Sequence, residues 1–233
     1  MDSREEIKNL VNFIRCEVKE AGKTGCVVGV SGGIDSAVII ALCKLAFPDT
    51  TLGVLMPFTK TRKSTQRARE FCKKLGVRVY EHVIKIDNPV FNKASSLAKG
   101  NMATRARMAI LYLHAEINNY LVIGTDNKSE NYIGFFSKFG DGGVDINPIG
   151  QYFKSEVYEL AVAIDIPKSI IKIAPSAELW KGQTDEDELG FTYDQLEDYI
   201  KTGTSGDHSI NSAIATLCKR TEHKRMLPKE HQR

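Results

Sequence analysis

Between Glu5 and Glu20, the residues Ile7, Leu10, Val11, Ile14 and Val18 recur at three- and four-residue intervals, which places them on one stripe of an amphipathic helix. The period then changes. Residues 25–30, GCVVGV, form a short continuous apolar run; SGG follows, and Ile34–Phe47 reads as an apolar helix stopped by Pro48, since proline cannot extend a helix. A second apolar strand is predicted over Thr51–Met56, a basic helix over Thr61–Leu75 and, after Gly76, a third strand over Val77–Ile84. Strands that are apolar throughout, rather than at alternate positions, are buried on both faces. The βαβαβ order therefore predicts an α/β fold, a doubly wound parallel sheet with helices on both faces.

Further along, Asp87–Asn101 is polar and carries Pro89 and Gly100, so it is expected to be mostly loop before a helix over Ala103–Asn118 and a fourth strand over Leu121–Gly124. Gly134–Gly150 is too rich in glycine for regular structure yet holds Phe135, Phe136 and Phe139, the composition of a functional loop. Helices are predicted over Lys154–Ala163, Lys168–Ile173, Tyr193–Lys201 and Asp207–Arg220, with a polar, acidic stretch at Gln183–Leu189. At 233 residues, a single domain spanning 1–233 is expected.

Composition narrows the class only by exclusion. The formal net charge is +3, too small to imply a nucleic-acid partner. No stretch reaches the ~18 apolar residues of a membrane span and the start of the chain lacks a signal core, so a cytoplasmic protein without a membrane partner is expected. Five widely spaced cysteines form no C-x-x-C pair and read as reduced thiols in or near the core.

In a parallel sheet, ligands bind beyond the carboxyl ends of the strands, so the turn after GCVVGV is the place to look for chemistry. Gly22, Lys23 and Thr24 fail as a Walker loop because Glu17 stands where its first glycine belongs. Ser31 breaks the dinucleotide fingerprint at its third position. Gly29-Val30-Ser31-Gly32-Gly33 matches G-x-S-x-G, with Ser31 as a hydrolase nucleophile, but that elbow needs an oxyanion N–H from an earlier strand-to-helix loop, and only a helix precedes this strand. A phosphate site fits better: Gly32 and Gly33 admit an anion to the backbone N–H groups, Ser31 and Ser36 add hydroxyls, and a helix N-terminus follows. Asp35 then makes sense with Mg²⁺ between it and a polyphosphate; the alternative is a carboxylate that caps the helix.

SGGIDSA resembles the pyrophosphate-binding loop of the N-type ATP pyrophosphatases. GNMATRARM (100–108), GTDNKSE (124–130), GFFSKFGDGG (134–143), PIGQYFKSEVYELA, DEDELGFTYDQLEDYI and EHKR (222–225) stand in the order and spacing of the NAD synthetase family, so the resemblance covers almost the whole chain. It implies an adenine nucleotide alpha hydrolase-like fold and an ATP- and Mg²⁺-dependent ligase that amidates deamido-NAD with ammonia to NAD, AMP and pyrophosphate through an adenylated intermediate. Asp35 and Lys154 are then catalytic, Asp35 and Glu130 ligate the metal, and ATP is held by Gly29, Val30, Ser31, Gly32, Gly33, Ile34, Asp35, Ser36, Thr125, Lys154 and Ser176. Deamido-NAD falls to Arg105, Lys138, Asp145, His223 and Lys224. Spacing alone does not choose Arg105 over Arg107, nor decide whether the three phenylalanines stack on the pyridine ring or anchor their loop. The resemblance also implies a homodimer with the dinucleotide near the subunit interface. The short region before the first strand leaves no room for a glutaminase domain, so free ammonia is the expected nitrogen source.

Overall fold

The structure, a computed structural model that describes residues 2–57, 63–86, 88–176 and 184–231, begins with α1 (Ser3–Glu20). The Asp2 carboxylate accepts from the Arg4 and Glu5 N–H groups to cap it, and Leu10, Val11, Ile14 and Val18 are buried as their spacing requires. Next come β1 (Cys26–Gly29), α2 (Ile34–Ala46), β2 (Thr51–Leu55), α3 (Lys63–Leu75) and β3 (Arg78–Glu81), then α4 (Pro89–Lys93), α5 (Ser96–Asn118) and β4 (Leu121–Ile123). All pairings are parallel, in the order β3-β2-β1-β4, with Val27 in register with Leu52 on one side and Val122 on the other.

Both faces of this sheet are covered. Val27, Leu52, Val54 and Val122 pack with Leu111 and Ala115 of α5. On the opposite face Cys26, Val28, Leu55 and Ile123 pack with α1, α2, α3 and with α7 (Lys154–Ala163). The strand order reverses direction at β1: the chain steps outward through β2 to β3, then returns to place β4 on the other side of β1. The segments leaving β1 and β4 therefore lie side by side at the carboxyl edge, at the switch point where open α/β sheets bind ligands.

The remaining chain adds α6 (Lys128–Ile133), α8 (Lys168–Ile171), α9 (Asp185–Leu189), α10 (Tyr193–Thr202), α11 (His208–Thr221) and a short 3₁₀ turn, Glu222–Lys224. Ile133, Phe191, Tyr193, Leu196 and Ile214 form a separate apolar cluster joining α6, α10 and α11.

Four expectations are corrected. The predicted loop at 87–101 is largely helical: Asn88 caps α4, and the Ser95 hydroxyl accepts from Ala98 N–H to start α5 well before Ala103, while Asp87 lies outside the described residues. Gly100 is buried inside α5, where packing outweighs a propensity cost of ~1 kcal/mol. The third strand ends at Glu81, opposite the end of its partner β2 at Leu55, although His82 and Ile84 still donate to Leu55 O and Pro57 O. The polar stretch before Leu189 is helix α9, capped by Thr184; Gln183, like Thr61 at the head of the predicted basic helix, lies outside the described residues. Among the cysteines, all free, Cys26, Cys43 and Cys72 are buried and Cys218 half-buried, but Cys16 is exposed. No helix among the described residues is long and apolar enough to cross a membrane.

Candidate active site

The turn from β1 into α2 is held open by its own polar atoms. Ser36 Oγ donates to Gly33 O (3.1 Å) and accepts from Ser31 N (3.2 Å), so across the 3.0 Å contact between the two hydroxyls it is Ser31 that donates; Ser31 Oγ in turn accepts from Gly33 N (3.2 Å). Gly29 and Val30 still belong to the sheet edge, where Val30 N bonds Val54 O, and Ile34 is buried beneath the turn. The helix is capped by Gly33 without a side-chain bond, so Asp35 does not serve as its cap. Among the described residues no histidine bonds Ser31, whose hydroxyl is engaged by Ser36 and Gly33 instead.

Gly32 has φ +92°, and a Cβ there would lie 2.3 Å from the Ser64 carbonyl oxygen at the start of α3. A side chain would meet both an unfavourable backbone region and a neighbour that cannot yield. Gly32→Ala is expected to cost about 2–4 kcal/mol; an unchanged urea midpoint would show that α3 moves aside freely.

Asp35 is joined by two residues from beyond β4 and one from α7. Its Oδ1 accepts from Asn127 Nδ2 (3.0 Å) and its Oδ2 from Lys154 Nζ (2.7 Å). Lys154 Nζ also donates to Glu130 Oε1 (3.2 Å). Asn127 caps α6 through Glu130 N (3.0 Å), and Glu130 Oε2 accepts Asn127 N–H in return (3.3 Å), a capping box that fixes the Glu130 carboxylate to its own helix start. Lys154 is 3% exposed although it opens a helix. Burial alone would strip its charge, but Asp35 and Glu130 outweigh it and hold the ammonium charged well above the usual lysine range. Glu130 is pushed up to about 7, first by burial and against the pull of Lys154. Asp126, buried in the segment between β4 and α6, is raised by burial and then by Asp141, Glu130 and Asp35. The pocket thus carries more carboxylate than its ammonium neutralises.

That excess bears on a divalent cation. Asp35 and Glu130 aim oxygens at one point, the Lys154 ammonium at 2.7 and 3.2 Å, and two carboxylates suit Mg²⁺, which takes its other ligands from water and nucleotide phosphates. No group of three or more His, Cys, Asp or Glu poised for a metal occurs among the described residues. The residues therefore fit the group.

Thr125 directly follows β4 at the same edge of the sheet, separated from Ile123 only by Gly124. Ser176 follows Pro175, whose carbonyl accepts from Asp185 N (3.0 Å), bringing that segment to the start of α9. The residues assigned to deamido-NAD form a second group. Arg105 Nε donates to Lys138 O (3.3 Å), Lys138 Nζ to His223 O (2.5 Å) and Met226 O (3.1 Å), and Lys224 Nζ to Gly134 O (2.8 Å) and Phe136 O (2.7 Å). EHKR therefore clamps the 134–143 loop, and each lysine keeps one of its three donors. Arg107 turns inward to Met56 O (3.2 Å), which separates it from Arg105. Phe135 and Phe136 anchor the loop, whereas Phe139 is exposed with φ +59°. Asp145 stands apart: its oxygens accept from Tyr112 OH (3.0 Å) and Val122 N (2.8 Å) beside β4.

Sequence reasoning missed Asn127, Asp126, Asp185, Tyr193 and Glu197. The Asn127-x-x-Glu130 spacing is a capping-box signature that would have found the first; the others look like ordinary loop or helix residues until the fold brings them in.

A parallel sheet with a serine–glycine phosphate turn after β1, facing a buried lysine–carboxylate set after β4, defines an adenine nucleotide alpha hydrolase-like nucleotide-binding protein. A family model described as NAD synthase matches residues 6–228, and the chain belongs to that family. It is 42% identical to the NH(3)-dependent NAD(+) synthetase of Mesoplasma florum over 100% of each chain, and 40% identical to that of Carboxydothermus hydrogenoformans over 96% of each. Among solved structures it resembles the NMN synthetase of Francisella tularensis (TM-score 0.92, 36% identity, 99% of each chain) and the NH3-dependent NAD synthetase of Campylobacter jejuni (TM-score 0.83, 28% identity, 100% of each chain).

Proposed function

We infer that this chain is an ATP-dependent ligase that amidates deamido-NAD with ammonia to give NAD, AMP and pyrophosphate. The observation that carries the reading is the buried Lys154 ammonium held between Asp35 and Glu130 at the mouth of a phosphate-binding turn. A carboxylate oxygen of the substrate attacks the α-phosphorus of ATP, the bond to pyrophosphate breaks, and NH₃ then adds to the acyl carbon, loses a proton and expels AMP. The first step brings two anions together. Backbone N–H groups at Gly32 and Gly33, the Ser31 and Ser36 hydroxyls and Lys154 accept the charge that moves onto the phosphates. We propose Mg²⁺ as the metal, held by Asp35 and Glu130; when bound it screens the polyphosphate and orients it. Arg105, Lys138, His223 and Lys224 form a basic wall suited to the dinucleotide's phosphates, and Asp145 is proposed to complete that site.

The chain is proposed to work as one unit that uses free ammonia, in keeping with relatives named NH(3)-dependent that match it from end to end. A homodimer is proposed through α5, where Met102, Leu113 and Ile117, 47, 55 and 70% exposed, line up with exposed Ala109 as an apolar stripe about 23 Å long, beside Arg105.

The likeness to an NMN synthetase favours a second substrate, nicotinate mononucleotide, whose carboxylate presents the same chemistry without the adenylyl half. The test is to supply ATP and Mg²⁺ with either acid and with ammonium or glutamine. NAD, AMP and pyrophosphate should form from deamido-NAD and ammonium, with a higher kcat/KM than for the mononucleotide; the reverse preference would transfer the assignment to the mononucleotide. Because NH₃ and not NH₄⁺ attacks, the rate at fixed, sub-saturating total ammonium should rise from neutral to mildly alkaline pH. Turnover driven by glutamine alone would defeat the nitrogen assignment.

A further inference from the structure

We propose that α10 is the element that positions the reacting pair, through two buried side chains one helical turn apart, Tyr193 and Glu197. This rests on the reading of Lys154 and Glu130 as adenylation machinery. Residues at i and i+4 share a helix face, and this face meets the starts of both α6 and α7. Glu197 is 3% exposed, a costly place for a carboxylate unless donors surround it. Four do: its Oε1 accepts from Ser155 N (3.0 Å) and Ser129 Oγ (3.3 Å), its Oε2 from Ser155 Oγ (2.5 Å) and Lys201 Nζ (3.3 Å).

The choice of donors matters. Ser129 immediately precedes Glu130, and Ser155 immediately follows Lys154. α7 starts at Phe153, which has no side-chain acceptor, so its first amides need partners from elsewhere. Lys154 N donates to Ser129 Oγ (3.2 Å) and Ser155 N to Glu197. One carboxylate therefore caps the helix that begins with the catalytic lysine and ties it to the residue beside the catalytic glutamate.

Tyr193 acts at the other end of the same two side chains. Its hydroxyl lies 3.0 Å from Asp185 Oδ2 and 3.3 Å from Glu130 Oε1, and its single proton is shared between them. Its ring lies 5.2 Å from Lys154 Nζ, within cation–π range. The ammonium is thus held by Asp35 and Glu130, by the ring of Tyr193 and, through the backbone, by Glu197. Asp185 N bonds Pro175 O, so the same tyrosine links the Ser176 segment to Glu130.

Two variants test the proposal. Tyr193→Phe keeps the ring and its packing and removes only the hydroxyl. Glu197→Gln keeps the shape but must turn an N–H₂ toward one pair of donors. For each, kcat, the KM values for ATP and for the pyridine nucleotide, thermal midpoint and a crystal structure would be measured. We expect kcat per folded molecule to fall about tenfold or more in each, with both KM values within about twofold and with Lys154 Nζ displaced by more than about 0.5 Å. A lower thermal midpoint with unchanged kcat, or raised KM values with unchanged kcat, would overturn the proposal in favour of a packing or binding role. If Glu197→Gln does not fold, Tyr193→Phe decides alone. A wild type that forms no amide overturns the functional reading instead, and the crystal structures still decide the positioning claim, which an unmoved Lys154 would refute.

Discussion

Lys154→Met is expected to reduce amide formation by about 10³-fold and to destabilise the fold by about 3–5 kcal/mol, the only change proposed here with both effects at this size. Methionine fills the volume of the lysine stem, so the losses come from the charge. Without the ammonium, Asp35 and Glu130 face each other across a buried point, and the phosphates lose their nearest cation. The two effects separate with pH. Glu130 already holds its proton to about 7 against a usual value near 4.5. A carboxylate raised in the folded state favours folding fully below its unfolded pKa, and that contribution is lost as pH rises through the folded value. Removing Lys154, which lowers the Glu130 value, enlarges that term. The stability deficit of the variant should therefore be larger at pH ~8 than at pH ~6, read from urea midpoints, while activity stays low at both. A deficit independent of pH would show that the carboxylates are not facing each other unpaired.

Asp35→Asn should also cost about 10³-fold in turnover, with little loss of stability. The asparagine Oδ1 still accepts from Asn127, but its N–H₂ now meets the Lys154 ammonium where an oxygen stood at 2.7 Å. Glu130 remains to pair the lysine, and the pocket sheds one of its surplus negative charges, so the thermal midpoint should move by no more than a few degrees. Pyrophosphate release in a single turnover isolates the first chemical step, and its dependence on Mg²⁺ concentration should shift upward. Near-normal release with an unchanged Mg²⁺ response would remove Asp35 from both the metal and the chemistry.

The parts of this molecule legible in the sequence are those with a local cause. GCVVGV and residues 52–56 carry no polar side chain because both sheet faces are covered, and Gly32 and Gly33 are recognisable because the turn needs a backbone without side chains. The start of α5 was hidden because Gly100 and Pro89 read as breakers, while Ser95 caps the helix within the same polar run. Nothing local marks Lys154 as buried. It opens a helix, where a lysine gains nothing from the dipole, and its reason for being there is a pair of carboxylates from other loops. Tyr193 and Glu197 are more opaque still, since in sequence they are an ordinary aromatic and an ordinary acid of an amphipathic helix. The assignment of Arg105, Lys138, His223 and Lys224 came from resemblance. The structure joins them by hydrogen bonds from α5 to the tail, and no spacing rule connects residues so far apart.

Those separations have a bearing on how the chain folds. Asp35 meets Asn127 across 92 residues and Lys154 across 119, and each such contact closes a long loop before it contributes anything. The sheet with α2 and α5 is already complete by Ile123, so an intermediate that has formed the parallel core would still lack the lysine. The nucleotide pocket is complete only with α7 docked on that core and α10 packed against α7. By the same path in reverse, a local opening of α10 and α11 that left the sheet intact would silence the site without unfolding the protein.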